Sequence, residues 1–176
     1  MAKDKKSKDP QFRTTKIAPA LLAAPPTQAR TVNFQNFIHG QTLKHPFTLD
    51  GFTFASPFSA TPFKIIDSTS YGEPALENTW LTTGLGLSAN GIFVQLPAVA
   101  DLCSISIVPD LAATATKQVR FEWFDSNGVL LGDAEFGSAN PLPQYVPYTH
   151  VVNVPGVAML AVYSNEETTL CRVQAL

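Results

Sequence analysis

Hydrophobic and polar positions alternate along much of this chain, in short runs that end at glycine or proline. The clearest run is 118–124, in which Val119, Phe121 and Trp123 fall on one side of an extended chain and polar residues fall on the other. A period of two residues is typical of a β-strand that turns one face to a core. Residues 118–124 therefore predict such a strand.

A second run, residues 129–136, follows this strand after the pair Asn127–Gly128. Asn-Gly supplies the positive φ angles that a tight two-residue hairpin turn requires. The two runs therefore predict a β-hairpin, with Leu131 beside Phe121 in the same inner layer.

The remaining runs are also rich in β-branched and aromatic residues and are bounded by Gly or Pro. No stretch shows a helical period. Many short strands with such turns predict an all-β fold, an antiparallel β-sandwich of jelly-roll type. The further predicted strands are 31–38, 46–54, 63–66, 79–83, 92–96, 102–108, 149–154, 157–163 and 169–175.

Charge divides the chain near Arg30. Residues 1–30 have a net charge of +5, and residues 31–176 have a net charge of −7. The first part lacks hydrophobic periodicity, so we expect a flexible or extended N-terminal arm over 1–30 and a β-sandwich domain over 31–176. The arm matches a secretory signal poorly, because its apolar stretch is short and contains Pro19, so the localisation stays open. The basic residues of the arm are Lys3, Lys5, Lys6, Lys8, Arg13, Lys16 and Arg30.

Four segments resemble the galactose-binding-like jelly-roll domains of bacterial surface and secreted proteins, including those of the PEP-CTERM type. They are Leu-Asp-Gly-Phe-Thr-Phe at 49–54, Ile-Phe-Val-Gln-Leu-Pro at 92–97, the hairpin at 119–132 and Val-Pro-Gly-Val-Ala-Met-Leu-Ala-Val-Tyr at 154–163. The resemblance spans residues 31–176 and implies a jelly-roll fold. Some carbohydrate-binding relatives hold calcium through acidic residues in the first and last strands. This chain has Gln35 and Arg172 there, so we expect no calcium site.

Signatures of catalysis are missing from the sequence. It contains no phosphate-binding loop, no His-Glu-x-x-His zinc motif and no Gly-x-Ser-x-Gly nucleophile motif. His39, His45 and His150 lie without zinc-like spacing, which favours surface or turn positions. We therefore predict a protein that is not an enzyme and that uses no cofactor or metal.

The two cysteines, Cys103 and Cys171, fall in two predicted strands that lie near each other in the resembled topology. Buried free thiols are the favoured interpretation. A disulfide remains the alternative if the compartment is oxidising and the two Cα atoms are close enough.

Candidate binding residues are aromatics outside the alternating pattern. Tyr71 and Trp80 bracket a predicted loop at 72–78, and Tyr145 and Tyr148 lie in a Pro-rich segment. Aromatic faces give a sugar ring an apolar platform while nearby amides and carboxylates bond its hydroxyls. Packing of Trp80 in the core is the competing interpretation.

Two classes of function survive these observations. The first is a structural protein whose jelly-roll body and basic arm build a homo-oligomeric assembly such as a capsid, virion decoration, tail or fibre, with the arm docking on the acidic body of a neighbouring subunit. The second is a carbohydrate-binding or adhesive surface module. The charge division favours the first. Nucleic acid would be bound only weakly through the arm, since no aromatics interleave its lysines. No apolar run reaches the roughly 20 residues of a membrane span.

Overall fold

The computed structural model describes residues 29–38, 40–56, 62–68, 73–78, 91–109, 119–137, 139–142, 146–164 and 168–176. Within them the chain forms 11 strands, all paired antiparallel, which confirms the predicted all-β sandwich. The strands are β1 (Arg30–Asn33), β2 (Thr42–Leu43), β3 (Phe47–Leu49), β4 (Phe52–Ala55), β5 (Phe63–Ser68), β6 (Glu73–Asn78), β7 (Gly91–Pro109), β8 (Val119–Phe124), β9 (Leu130–Phe136), β10 (Tyr148–Ser164) and β11 (Thr168–Ala175).

Two long strands run through both layers of the sandwich. They are β7, with 19 residues, and β10, with 17 residues, and they pair with each other along most of their length. The first part of β7 also pairs with β4, and its second part pairs with β11. The first layer therefore has the order β3-β4-β7-β10-β8-β9, and the second has the order β2-β5-β6-β11-β7-β10, with β1 also paired to β11.

The passage of β10 from one layer to the other coincides with irregular pairing. Its register to β7 shifts between Asn153 and Val157 and again between Val157 and Met159. Gly156 has a φ of +85°, and its N–H donates a hydrogen bond to the Asp101 carboxylate at 3.1 Å. Bulges bend a strand and increase its twist, so this segment forms the corner that lets one strand serve both layers.

Aromatic rings fill the space between the layers. Phe34, which follows β1, meets Phe54 of β4 with ring centroids 5.5 Å apart, and Phe47 of β3 meets Phe63 of β5 at the same distance. Because each pair joins the two layers, these contacts define the core. The largest fully buried side chains are Phe34, Phe52, Phe54, Phe63, Phe121, Ile65, Ile92, Ile105, Ile107, Leu160 and Leu170.

Several predicted strand boundaries were wrong. Residues 46–54 form two strands, because Asp50 and Gly51 take positive φ angles of 51° and 85° and turn the chain back on itself. The runs 92–96 and 102–108 join into β7, and the runs 149–154 and 157–163 join into β10.

Residues 73–78, expected in a loop, form β6 between β5 and β11. The predicted strand at 79–83 lies outside the described residues. The structure describes only Ala29 and Arg30 of the predicted arm, and Arg30 is the first residue of β1 and pairs with Ala175.

The β8–β9 hairpin has a longer turn than predicted. The Asp125 N–H donates to the Val129 carbonyl at 3.0 Å, which leaves three residues in the loop, and Gly128 alone among them has a positive φ. Further along, a register shift sits between Trp123 and Phe124, which pair with Gly132 and Leu130. The residue between those two partners, Leu131, is exposed rather than packed beside Phe121.

Candidate functional site

The outer face of the first layer carries a group of polar and aromatic side chains. The register places Asp133 of β9 opposite Glu122 of β8, and Glu122 opposite Ala161 of β10, which lies opposite Phe93 of β7. These positions alternate with core residues such as Phe121, so they point away from the core.

The neighbouring cross-strand row contains Arg120 of β8 and Tyr163 of β10, which lie directly opposite each other. Both share the outer face with the first row because they are two residues from Glu122 and Ala161 along their strands. We call the five residues Phe93, Arg120, Glu122, Asp133 and Tyr163 the outer-face site.

Arg120 connects the charged residues of the outer-face site. Its Nη2 atom lies 2.9 Å from Glu122 Oε1 and 3.3 Å from Asp133 Oδ2. The Glu122 side chain is 14% exposed, whereas the Asp133 side chain is 44% exposed. The Glu122 carboxylate is therefore largely buried, and the Asp133 carboxylate is exposed to solvent.

Tyr163 joins this network through a side-chain hydrogen bond with Glu122. Burial raises the pKa of the Tyr163 hydroxyl, and the negative charge and hydrogen bond of Glu122 raise it further, while Arg120 acts in the opposite direction. The phenol therefore stays protonated and donates to the carboxylate.

The aromatic part of the outer-face site consists of Phe93 and Tyr163. Their ring centroids are 5.8 Å apart and their planes are nearly perpendicular, at 87°. A Cβ atom on Gly91, which pairs with Tyr163, would lie 2.7 Å from Tyr163 Cδ1. Because Gly91 has no side chain, the Tyr163 ring can pack directly against the backbone of β7.

This arrangement suits the binding of a polyhydroxylated ligand. Two carboxylates and a guanidinium offer hydrogen-bond acceptors and donors at fixed positions, and two adjacent rings offer apolar area.

Tyr148 was a predicted binding residue, and the structure places it in a second group of rings, where the first residues of β10, in the second layer, face β8 and β9. Its ring centroid lies 5.1 Å from that of Phe136 and 6.0 Å from that of Phe121. His150 stacks on Phe121 at 4.7 Å and on Trp123 at 5.5 Å. These rings close the side of the sandwich, so packing accounts for the position of Tyr148.

His150 is half-buried among these rings, and burial lowers its pKa below the ordinary value. The Tyr148 hydroxyl lies 3.5 Å from His150 Nδ1. Since His150 also stacks between aromatic rings, the neutral imidazole behaves here as part of the core.

Most of the other predicted site residues lie outside the described residues. They include the possible glycan-binding residues Tyr71, Trp80 and Tyr145 and all basic residues of the arm before Arg30. The Arg30 side chain lies at the β3–β4 turn, where its Nη1 atom is 3.2 Å from the position of a Cβ atom on Gly51.

Cys103 and Cys171 form no disulfide with each other in this structure. Cys103 lies opposite Ala175, four residues beyond Cys171 on β11, so the ladder separates the two Cα atoms by roughly 10–13 Å. A disulfide needs less than about 7 Å. Burial raises the pKa of the Cys103 thiol to about 12, which keeps it protonated and unreactive.

The described part of the chain gives no sign of a metal centre. His39 lies outside the described residues, and His45 Nε2 accepts a hydrogen bond from the Ser56 N–H. Across the described ranges, no three His, Cys, Asp or Glu side chains form a group that could hold a metal ion. The same part of the chain also contains no helix long and apolar enough to cross a membrane.

The outer-face site was missed from the sequence. Alternation in β8 correctly placed Arg120 and Glu122 on the face opposite Phe121, but they were not recognised as a site. Phe93 and Tyr163 come from strands distant in sequence, and only the register between β7, β10 and β8 brings them beside the charges. Tyr163, the aromatic residue that ends an apolar run, was the one available signal.

Solved structures resemble this fold. The K2 cleaved adhesin domain of Lys-gingipain matches with a TM-score of 0.51 and 11% identity, covering 85% of this chain and 99% of that domain. A family 6 carbohydrate-binding module matches with a TM-score of 0.38 and 11% identity, covering 76% of this chain and 91% of that one. The C-terminal CBM6 of a marine laminarinase from Zobellia galactanivorans matches with a TM-score of 0.35 and 9% identity, covering 85% of this chain and 100% of that one.

The match to the adhesin domain extends over nearly all of that domain and, at 11% identity, shows a shared fold alone. No family model matches the sequence, and no curated protein matches it significantly. These structural neighbours are an adhesin domain and two carbohydrate-binding modules. They do not support the narrower resemblance to PEP-CTERM-type proteins.

Proposed function

We propose that this protein is a carbohydrate-binding or adhesive module without catalytic activity, and that its outer-face site contacts the glycan. The observation that carries the proposal is the contact between the Phe93–Tyr163 ring pair and the Glu122–Arg120–Asp133 network on one sheet face. The whole-domain match to an adhesin domain supports it at the level of fold.

The ring pair supplies the apolar contribution. Sugar rings present C–H groups on one face, and aromatic side chains cover such faces while their edges remain near water. Phe93 and Tyr163 are both half-buried, so their partly exposed surfaces are already fixed before a ligand arrives. Fixed side chains lose little conformational entropy on binding.

The ionic network supplies specificity. Arg120 has two carboxylate partners, and Glu122 also bonds Tyr163, so the positions of these groups are constrained by one another. Hydrogen bonds in which one partner is charged are stronger than neutral ones. A sugar with two adjacent hydroxyls would accept a hydrogen bond from the Arg120 guanidinium and donate one to the exposed Asp133 carboxylate.

A glycan array followed by calorimetry with the full chain tests the proposal. We expect at least one glycan to bind, and we expect Phe93→Ala and Asp133→Asn each to weaken its affinity about tenfold or more, corresponding to about 1.4 kcal/mol. Val151→Ala is the matched control, since Val151 is 59% exposed on β10 where that strand belongs to the second layer.

Two results would refute the site. The first is that the chain binds no glycan on the array. The second is that Phe93→Ala and Asp133→Asn bind the glycan with the same affinity as the Val151→Ala control. Circular dichroism of each variant separates loss of binding from loss of fold.

The predicted residues Tyr71, Trp80, Tyr145 and Tyr148 define a competing location. Tyr148→Ala and Trp80→Ala belong in the same calorimetric series. Loss of affinity in these variants, with full affinity in Phe93→Ala, would assign glycan binding to these residues and not to the outer-face site.

The predicted homo-oligomeric assembly stays a prediction, and the structural neighbours do not support a capsid or virion role. Light scattering of the full chain at low and high salt measures it directly. A large, salt-sensitive particle would favour the assembly, because the contact between the basic arm and an acidic body weakens as salt rises.

A further inference from the structure

Strand β9 ends the first layer with an exposed apolar stretch. Among the described residues β9 pairs only with β8. Val129, directly before this strand, is 57% exposed, and its first two residues, Leu130 and Leu131, are 46% and 37% exposed. A free strand edge beside exposed apolar side chains is a site at which another strand can add.

One end of this edge is covered by the chain itself. The Asn140 side chain donates to the Glu135 carbonyl at 3.1 Å and accepts from the Gly137 N–H at 3.2 Å. The Glu135 carbonyl therefore points away from β8. Because alternate residues of an antiparallel strand direct both backbone groups to the same side, the N–H and C=O of Asp133 point outward as well. The accessible edge thus runs from Leu131 to Asp133.

Charge restricts what can add to this edge. Asp133 and Glu135 are both exposed, and Arg120 is the basic side chain that contacts Asp133. Pairing of β9 with the β9 of a second copy would bring these carboxylates close together across the new ladder, and like charges in such positions are destabilising. The edge therefore fits an extended segment that carries basic residues.

The sequence contains such a segment at residues 12–17, Phe-Arg-Thr-Thr-Lys-Ile. It holds aromatic and β-branched residues that favour strands, together with Arg13 and Lys16, and it contains no proline or glycine. Its length is similar to that of an average strand.

The position of Arg30 brings this segment within reach. The Arg30 guanidinium lies beside Gly51, two residues before Thr53 of β4. Thr53 lies in one cross-strand row with Leu130 of β9, through residues of β7, β10 and β8. The row crosses four strand spacings, or about 19 Å. The connection from Ile17 to Arg30 spans up to about 43 Å when extended.

We propose that residues 12–17 add as a strand to the β9 edge of the same molecule. Arg13 and Lys16 are three residues apart and lie on opposite faces of such a strand, so one of them lies on the face of Asp133 and Glu135. The short connection raises the effective concentration of the segment at the edge to the millimolar range, which favours the same molecule over a second one. The sequence predicts that the arm docks on a neighbouring subunit, whereas the β9 edge lies within reach of the arm of the same molecule.

Hydrogen exchange of the full chain, followed by mass spectrometry, tests this proposal. Peptides that cover residues 130–136 should exchange about tenfold faster in the Arg13→Glu/Lys16→Glu variant than in the unmodified chain. The control variant Lys3→Glu/Lys5→Glu makes the same change in charge outside the segment and should leave the exchange of these peptides unchanged.

A charge reversal provides the second measurement. Glu135→Lys alone should accelerate exchange at 130–136, and its combination with Arg13→Glu/Lys16→Glu should restore slow exchange. Identical exchange in the unmodified chain and in Arg13→Glu/Lys16→Glu would overturn the proposal. Protection that grows with protein concentration, together with the mass of a dimer, would overturn it too, since the segment would then come from a second copy.

Discussion

At the scale of single residues, Phe121 and Leu131 were both predicted to lie in the core, and only Phe121 does. Phe121 is 1% exposed and meets the rings of His150, Phe136 and Tyr148, whereas Leu131 is 37% exposed. Phe121→Ala should lower the free energy of unfolding by about 3–5 kcal/mol, because it removes buried apolar area and leaves a cavity. Chemical denaturation measures the change.

Leu131→Ala is the matched control, and we expect a change within about 0.5 kcal/mol. A large loss at Leu131 with a small loss at Phe121 would mean that the residue between Gly132 and Leu130 points inward after all. The faces of β9 would then be exchanged.

His150 should make stability depend on pH. Burial lowers its pKa, so between that value and the ordinary pKa near 6.5 the unfolded chain binds more protons than the folded chain. The free energy of unfolding should therefore fall as pH falls through about 6.5. In His150→Phe, which keeps a ring between Phe121 and Trp123, this decline should be shallower.

Denaturation curves at pH 7.5 and pH 5.0 for both proteins measure the difference. Comparing the two declines cancels the titration of all other groups, since His39 and His45 are present in each protein. Equal declines would show that the imidazole is as accessible to protons in the folded chain as in the unfolded one.

At the scale of elements, the β8–β9 pair depends on a glycine under an aromatic ring. Gly132 lies opposite Trp123, and a Cβ atom there would lie 2.7 Å from Trp123 Cζ2. Gly132→Ala should lower the free energy of unfolding by about 1–3 kcal/mol, because the indole must move within a packed group. Thermal or chemical denaturation measures this loss.

The same substitution in a Trp123→Leu background provides the control. There the alanine meets a smaller side chain, so the additional loss should shrink below about 0.5 kcal/mol. If Gly132→Ala is equally destabilising with and without the indole, the requirement for glycine at position 132 comes from the backbone conformation and not from the Trp123 ring.

Alternation predicted strand β8 well and the long strands β7 and β10 badly. The pattern of β8 follows directly from the burial of Val119 and Phe121 between polar neighbours. In β10, Pro155 and Gly156 looked like the end of a strand, but the antiparallel ladder to β7 continues beyond the bulges around them. Pairing with a distant strand decides such cases, and a local pattern holds no information about it.

At the scale of the whole molecule, the outer-face site exists because four strands are placed side by side. Asp133 and Glu122 come from neighbouring strands joined by a hairpin, and that part of the site follows from the sequence once the register is known. Phe93 and Tyr163 reach the same face through β7 and β10, which are not adjacent in sequence to β8. The charged half of the site was therefore open to prediction, and the aromatic half required the topology.

The division between arm and body leads to the last prediction. Every strand that the structure describes lies between Arg30 and Ala175, and β1 pairs with β11 through Arg30, Thr31, Val32 and Asn33. Deletion of residues 1–28 should therefore leave the far-ultraviolet circular dichroism of a β-sheet protein and a cooperative thermal transition.

Deletion of residues 1–34 is the matched control, because it also removes β1 and the core residues Val32 and Phe34, both 0% exposed. Losing that buried area should lower the free energy of unfolding by several kcal/mol, about 2–5 for each large side chain. If the shorter deletion already abolishes the transition, residues 1–28 complete the core, and the boundary near Arg30 does not separate an arm from a domain. If only the longer one does, the sandwich begins at β1, and the basic segment before it is free to act at the surface.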